Sequence, residues 1–220
     1  TGGKVDGRRL YRAPVSGRCF KQREVRAHLK WDIVLLIDAS GSMRGTKWKI
    51  VENTAASLHR ALSGCGGRFG VYAYFESDGI CMISSLVREG GLHSIIPAGR
   101  TASGQAIIAA ALVMPSSAAR KLLIHITDGE SNAGCDVRYG IEYCGKCSIP
   151  LVTLGCGCRD RQVMREQYGS SIEFLEDFRH LPVAVENLLR RLFLYGHARA
   201  GGASAIPLRY EMQKKEVSSR

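Results

Sequence analysis

No run of about 18 uninterrupted apolar residues occurs in this chain, so the sequence offers no membrane-spanning helix. A charged-then-apolar leader is missing from residues 1–30, which removes the usual signature of export. The chain begins at Thr1 rather than Met, and a signal or domain upstream stays open. No glycine-rich loop ends in Lys-Ser or Lys-Thr, so a P-loop phosphate cradle is excluded. Gly41-Ser42-Met43 falls short of the G-x-S-x-G elbow of serine hydrolases. Position 40 is Ser, so Asp38 lacks the second carboxylate two residues on that Mg²⁺-dependent phosphohydrolases commonly place there. Aromatic residues are not interleaved with the basic clusters, which leaves any nucleic-acid surface without stacking platforms.

What is present is enough apolar material, 45% of 220 residues, to bury one substantial core. The net charge of +11 is concentrated at the ends. Residues 1–30 carry nine Lys or Arg against Asp6 and Glu24, and residues 188–220 carry seven against Glu211 and Glu216, leaving the middle close to neutral. Such flanks suit docking to an acidic protein surface better than nucleic-acid binding. The 8 cysteines do not resemble the framework of a small secreted domain, because a chain of this size is held by its core. A reducing cytoplasm is the simpler expectation.

From Trp31 onward, apolar strands alternate with amphipathic helices, the pattern of a doubly wound, mainly parallel sheet with helices on both faces. The expected strands cover 32–38, 69–75, 80–86, 121–127, 149–155 and 172–175, and the helices 47–63, 103–114, 136–146, 160–168 and 182–195. Ser77-Asp78-Gly79 is a hairpin signal, so one edge strand is expected to be antiparallel. Pro182 suits a helix first turn. The division is a basic extended lead-in at 1–30 with an edge strand around Cys19–Glu24, one α/β domain at 31–195, and a basic disordered tail at 196–220.

Three segments bring oxygen-bearing side chains to predicted strand ends or helix starts. The first strand runs into Asp38-Ala-Ser40-Gly-Ser42, a second segment is Arg100-Thr101-Ala-Ser-Gly104, and Leu122–Thr127 runs into Asp128-Gly129. In open α/β sheets the carboxyl ends of strands are where ligands bind. Asp38, Ser40, Ser42, Thr101 and Asp128 then form a set of hydroxyls and carboxylates with no Cys or His, which suits a hard divalent cation such as Mg²⁺ rather than zinc. Taken singly, the ordinary reading is that Ser40, Ser42 and Thr101 cap helices and Asp128-Gly129 makes a turn. Five protein groups cannot fill one octahedral ion and leave its waters in place, so a position should stay open for an incoming acidic side chain.

These motifs resemble the metal-ion-dependent adhesion site of von Willebrand factor type A (VWA) domains. Asp38-Ala-Ser40-Gly-Ser42 matches D-x-S-x-S, Thr101 the isolated threonine, and Thr127-Asp128-Gly129 the T-D-G of that family, over about residues 31–195. The resemblance implies a Rossmann-like fold, Mg²⁺ or Mn²⁺ held directly by the serines and threonine with the aspartates often acting through water, and a role in protein binding rather than catalysis. Gly3-Lys-Val-Asp-Gly-Arg-Arg-Leu-Tyr-Arg12, Phe20-Lys-Gln-Arg-Glu24 and Ser40–Gly45 further resemble the VWA region of the large accessory subunit of aerobic cobaltochelatase (the CobT type) and its relatives. Those proteins serve a hexameric AAA+ ATPase of the MoxR type, which makes such an ATPase or its substrate the expected partner. The chain is shorter, lacks a long acidic stretch and is richer in cysteine and glycine, so a partner other than the cobalt-inserting one is expected. The alternatives are a VWA protein that binds nucleic acid through its basic ends, and an extracellular adhesive module.

Cys135, Cys144, Cys147, Cys156 and Cys158 lie close in sequence and invite a zinc reading. The strand between the two pairs spans about 23 Å, too far for one ion to join all four of Cys144, Cys147, Cys156 and Cys158. Cys144 and Cys147 with Cys135 stay as a candidate second metal site, with idle thiols the plainer reading. His125 and His180 are the histidines one would consider for catalysis; His125 alternates into a strand and reads as a core histidine.

Overall fold

The computed structural model describes residues 4–5, 20–21, 31–63, 67–114 and 119–195, so the expected tail at 196–220 lies outside the described residues, as does most of 1–30. In chain order the strands are β1 (Lys4–Val5), β2 (Phe20–Lys21), β3 (Trp31–Asp38), β4 (Arg68–Ser77), β5 (Ile80–Ser85), β6 (Val87–Arg88), β7 (Gly91–Leu92), β8 (Arg120–Thr127), β9 (Leu151–Cys156) and β10 (Ile172–Leu175). The α-helices are α1 (Thr46–Leu62), α2 (Ser103–Leu112), α3 (Val137–Lys146), α4 (Arg161–Tyr168) and α5 (Leu181–Tyr195).

One six-stranded sheet, ordered β10-β9-β8-β3-β4-β5, forms the middle layer. All its pairs are parallel except β4 with β5, which the turn at Asp78-Gly79 joins as an antiparallel edge, as the hairpin signal requires. Strand β3 is buried along its whole length because both its faces are covered. Ile33, Leu35 and Ile37 point to the layer of α1 and α5, packing with Val51, Ala55, Val185 and Leu189. Val34 and Leu36 point the other way, toward Ala106, Ile107 and Ala110 of α2, Val137 of α3 and Met164 of α4. The period-2 alternation of a strand thus feeds two cores from one apolar run.

Of the edge strand expected around Cys19–Glu24, the described residues are Phe20–Lys21, which pair with Lys4–Val5 in a two-stranded ribbon of their own rather than on the edge of the main sheet. The sequence reading also passed over the β6-β7 hairpin, whose turn is Glu89-Gly90 with positive φ at both residues.

Strand order reverses at β3. The chain runs from β3 outward through β4 to β5, then returns to the other side of β3 with β8 and continues to β9 and β10. The crevice of such a sheet opens where the order switches, beyond the carboxyl ends of β3 and β8. Asp38 is the last residue of one strand and Thr127 of the other, with Asp128 next in the chain.

Candidate functional site

Residues 39–45 leave β3 through a short 3-10 turn, Gly41–Met43, before α1 begins. This loop is tied to the segment 97–101 by backbone bonds. Ala98 N–H donates to the Ala39 carbonyl at 2.8 Å and Gly41 N–H to the Gly99 carbonyl at 3.1 Å. The same segment pairs with β4, Arg100 N–H to the Glu76 carbonyl at 2.9 Å and Glu76 N–H to the Arg100 carbonyl at 2.8 Å. Gly99 makes this close approach feasible. Its φ is +67°, and a Cβ there would lie 1.9 Å from the Glu76 carbonyl oxygen, so any side chain collides with backbone.

Thr101 is held from the opposite side by the loop after β8. Its N–H donates to Asn132 Oδ1 at 3.0 Å, and its carbonyl accepts from Asn132 N–H and Ala133 N–H, each at 3.0 Å. Ser131 adds its hydroxyl to the same carbonyl at 3.2 Å and accepts Ser103 N–H at 3.1 Å. Gln167 of α4 grips Ser131 with both ends of its amide, accepting Ser131 N–H at 2.9 Å and donating to the Ser131 carbonyl at 3.1 Å.

The side chains so placed meet. Asp38 is fully buried; its Oδ1 accepts Ser40 N–H at 2.8 Å, and its Oδ2 accepts the hydroxyls of Thr127 at 2.7 Å and Thr101 at 3.4 Å. Ser40 Oγ lies 3.1 Å from Ser42 Oγ, and Ser42 donates to Asp128 Oδ1 at 2.7 Å. Lys47 Nζ donates to Asp128 Oδ2 at 2.5 Å and to the Ser42 carbonyl at 3.2 Å. Asp38, Ser40, Ser42, Thr101 and Asp128 therefore form one hydrogen-bonded group drawn from three separated segments.

The ordinary reading of the hydroxyls as helix caps is not what the structure contains. The N-cap of α1 is Gly45 and that of α2 is Ala102, neither with a side-chain cap bond, and Ser40 makes none to the turn it precedes. Where this fold does cap helices it uses aspartate, Asp136 accepting Arg138 N–H on α3 and Asp160 accepting Gln162 and Val163 N–H on α4. Ser40, Ser42 and Thr101 turn instead toward the carboxylates.

Burial pushes the Asp38 carboxyl up from 3.8 to about 6, although the donors Thr127 and Ser40 pull it down; nearby Asp128 adds to the rise. A cation between these groups would reverse that balance. The donor set fits a small hard ion on its own terms. It is all oxygen, and the 3.1 Å between the serine hydroxyls is close to the ~3.0 Å edge of an octahedron with metal–oxygen bonds near 2.1 Å.

Behind the site, His125 is fully buried, with Nε2 2.8 Å from the Tyr74 hydroxyl and Nδ1 3.4 Å from Thr153 Oγ1. The Tyr74 hydroxyl lies 2.8 Å from Ser103 Oγ, to which the Tyr168 hydroxyl also donates at 2.7 Å. Burial lowers the His125 pKa from 6.5 to about 3, so it is a neutral, partnered core residue.

The cysteines do not gather. Among the described residues no three His, Cys, Asp or Glu side chains could hold a metal ion together. Cys144 is buried on the core face of α3, Cys147 is exposed just past its end, and Cys135 precedes its start, with a helical rise of about 10 Å between Val137 and Cys144 alone. Burial pushes the Cys144 thiol up to about 12, which leaves it a poor ligand. The residues that sequence reasoning passed over are Lys47, Ser131, Asn132 and Gln167, whose partners across the crevice lie 28 to 81 positions away.

No family model matches the sequence, and no curated protein matches it significantly. Solved structures do resemble the fold. Proximal thread matrix protein 1 from the mussel byssus superposes with a TM-score of 0.59 at 15% identity over 73% of this chain and 47% of its own. The same protein with a zinc-occupied MIDAS motif gives 0.58. VWA2, an ArnB paralog from Sulfolobus acidocaldarius, gives 0.52 at 20% identity over 71% of this chain and 44% of its own. Manganese-loaded TRAP protein from Plasmodium vivax gives 0.52 at 18% identity over 71% and 72%. The chain thus spans about half or less of the mussel and archaeal proteins. The fold is the Rossmann-like α/β fold of VWA domains, with its mainly parallel sheet and one antiparallel edge.

Proposed function

We propose that this chain is a metal-dependent protein-binding module that holds Mg²⁺ or Mn²⁺ through Asp38, Ser40, Ser42, Thr101 and Asp128. The observation that carries the reading is that Ser40, Ser42 and Thr101 leave the adjoining helices uncapped and converge with two carboxylates. The zinc-occupied motif and the manganese-loaded protein among structures of the same fold support it.

When bound, the cation would supply a Lewis-acidic anchor for a carboxylate from a partner. The protein's own part is to keep that anchor positive. With three neutral hydroxyls among the five donors, the ion would keep more of its positive charge than a set of carboxylates would leave it, and Thr127 and Ser40 N–H already engage Asp38. The exposed side chains of Arg44, in the serine loop, and Arg100, next to Thr101, flank the site. An acidic group on a partner surface matches them.

For the partner, the likeness of residues 3–12, 20–24 and 40–45 to chelatase-type accessory subunits favours a MoxR-type AAA+ ATPase or its substrate. A reducing compartment such as the cytoplasm goes with this. The test is association with a purified MoxR-type ATPase, with Mg²⁺ and with chelator. Wild type should bind only with metal and Asp38→Ala not at all; binding unchanged in chelator refutes the proposal. Phosphate release from simple esters under Mg²⁺ would move the protein to the enzymes.

A further inference from the structure

Lys47 stands at odds with its place in the chain. It is the second residue of α1, whose first turn carries no acidic residue, although the positive end of the helix dipole disfavours an ammonium there. What holds it is Asp128. The ion pair is 2.5 Å long, and the Asp128 side chain is 3% exposed against 41% for Lys47. The ammonium also lies 5.8 Å from the centroid of the Phe178 ring, so its stem crosses from α1 toward the β10 side of the crevice. Both oxygens of Asp128 are therefore spoken for, Oδ1 by Ser42 and Oδ2 by Lys47.

Resting on the metal reading above, we infer that Lys47 is a tethered cation that competes with the divalent ion for Asp128 and sets how tightly the site is filled. Without metal, a nearly buried carboxylate needs a counter-charge, and Lys47 supplies it while its bond to the Ser42 carbonyl keeps the serine loop in place. With metal, a dication and an ammonium would share one carboxylate, and their repulsion weakens both contacts. Because its stem is flexible and its head already borders solvent, the ammonium is the partner able to leave. Metal affinity is thereby lowered, and occupancy becomes sensitive to the cation concentration around the protein.

The experiment is Mn²⁺ titration by calorimetry of wild type, Lys47→Met, Lys47→Arg and Asp38→Ala, together with melting of each protein in chelator. Lys47→Met keeps the stem over Phe178 and removes the charge. It should bind Mn²⁺ about three- to tenfold more tightly, an effect that shrinks as salt is raised, and should melt lower than wild type without metal. Lys47→Arg, which keeps the charge, should stay within about twofold of wild type. Equal or weaker Mn²⁺ binding by Lys47→Met, with wild type still binding and Asp38→Ala not, overturns the competition and leaves the metal reading standing. No Mn²⁺ binding by either wild type or Lys47→Met overturns both. A second readout needs no variant. Acetylation of Lys47 by acetic anhydride, followed by peptide mass mapping, should quicken when saturating Mg²⁺ is added; an unchanged or slower rate counts against release of the ammonium.

Discussion

Replacing His125 by Gln should remove an acid sensitivity that the fold carries in its core. The imidazole is fully buried in β8, and its pKa falls from 6.5 to about 3 through burial. In the unfolded chain it takes up a proton near 6.5, whereas the native protein resists until about 3. Between those values the unfolded state holds more protons, so stability rises with pH and is lost as pH falls through the window. From pH 7 to pH 5 the loss amounts to about 2 kcal/mol from this group alone. Asp38 works in the opposite direction. Its carboxyl, raised from 3.8 to about 6 by burial, is protonated first in the native state, so stability grows as pH falls across that range. Asp38 is present in both proteins and its effect cancels in the comparison. Gln is chosen because it retains a polar contact for the Tyr74 hydroxyl. Urea unfolding of wild type and His125→Gln in chelator, at pH 7 and pH 5, measures the difference. Wild type should lose about 2 kcal/mol more than the variant between the two conditions. Equal losses would mean that His125 is charged in the native state and that the neutral network with Tyr74, Ser103 and Thr153 is wrong.

Three further outcomes follow from the site. Asp38→Asn should abolish Mn²⁺ binding by calorimetry while leaving metal-free stability at pH 7.5 equal to or above wild type, because a buried anion is exchanged for a neutral amide; a large loss of metal-free stability contradicts this. Thr127→Val deletes the 2.7 Å donor to Asp38 and should cost about 2 kcal/mol in chemical denaturation at pH 7.5, a hydrogen bond to a charged group. Gly99→Ala meets both a positive φ and the Glu76 carbonyl, so it should destabilise by about 3 kcal/mol or more and displace Thr101, seen as lost Mn²⁺ affinity.

The layers were readable because their causes are local. The continuous apolar run 33–37 could be buried only on both faces, and Asp78-Gly79 could only turn back on itself, so β3 and the β4-β5 edge came out within one or two residues. The β6-β7 hairpin escaped because two strands of two residues carry no alternation to detect. Asp38, Ser40 and Ser42 are close in sequence and declare themselves together. Lys47 is only five positions past Ser42 but takes its meaning from Asp128, 81 residues on, and a lysine in a helix first turn gives no sign of that. The cysteines show the converse. Nearness in sequence placed Cys135, Cys144 and Cys147 in one group, and a helix then carried them to different environments.

Gln167 gives the site an asymmetry. The Thr101 side of the crevice is latched to α4 by one amide that grips Ser131 twice, whereas the serine loop is pinned by backbone bonds to 98–99 and by the movable ammonium of Lys47. One wall is therefore a fixed jaw and the other an adjustable one. A ligand that pulls on the serine loop can be accommodated at the cost of a few local contacts. One that pulls on Thr101 must strain its latch to α4, which packs on the same face of the sheet as the helix that Thr101 leads into, so the load falls on the layer of helices as well as on a loop.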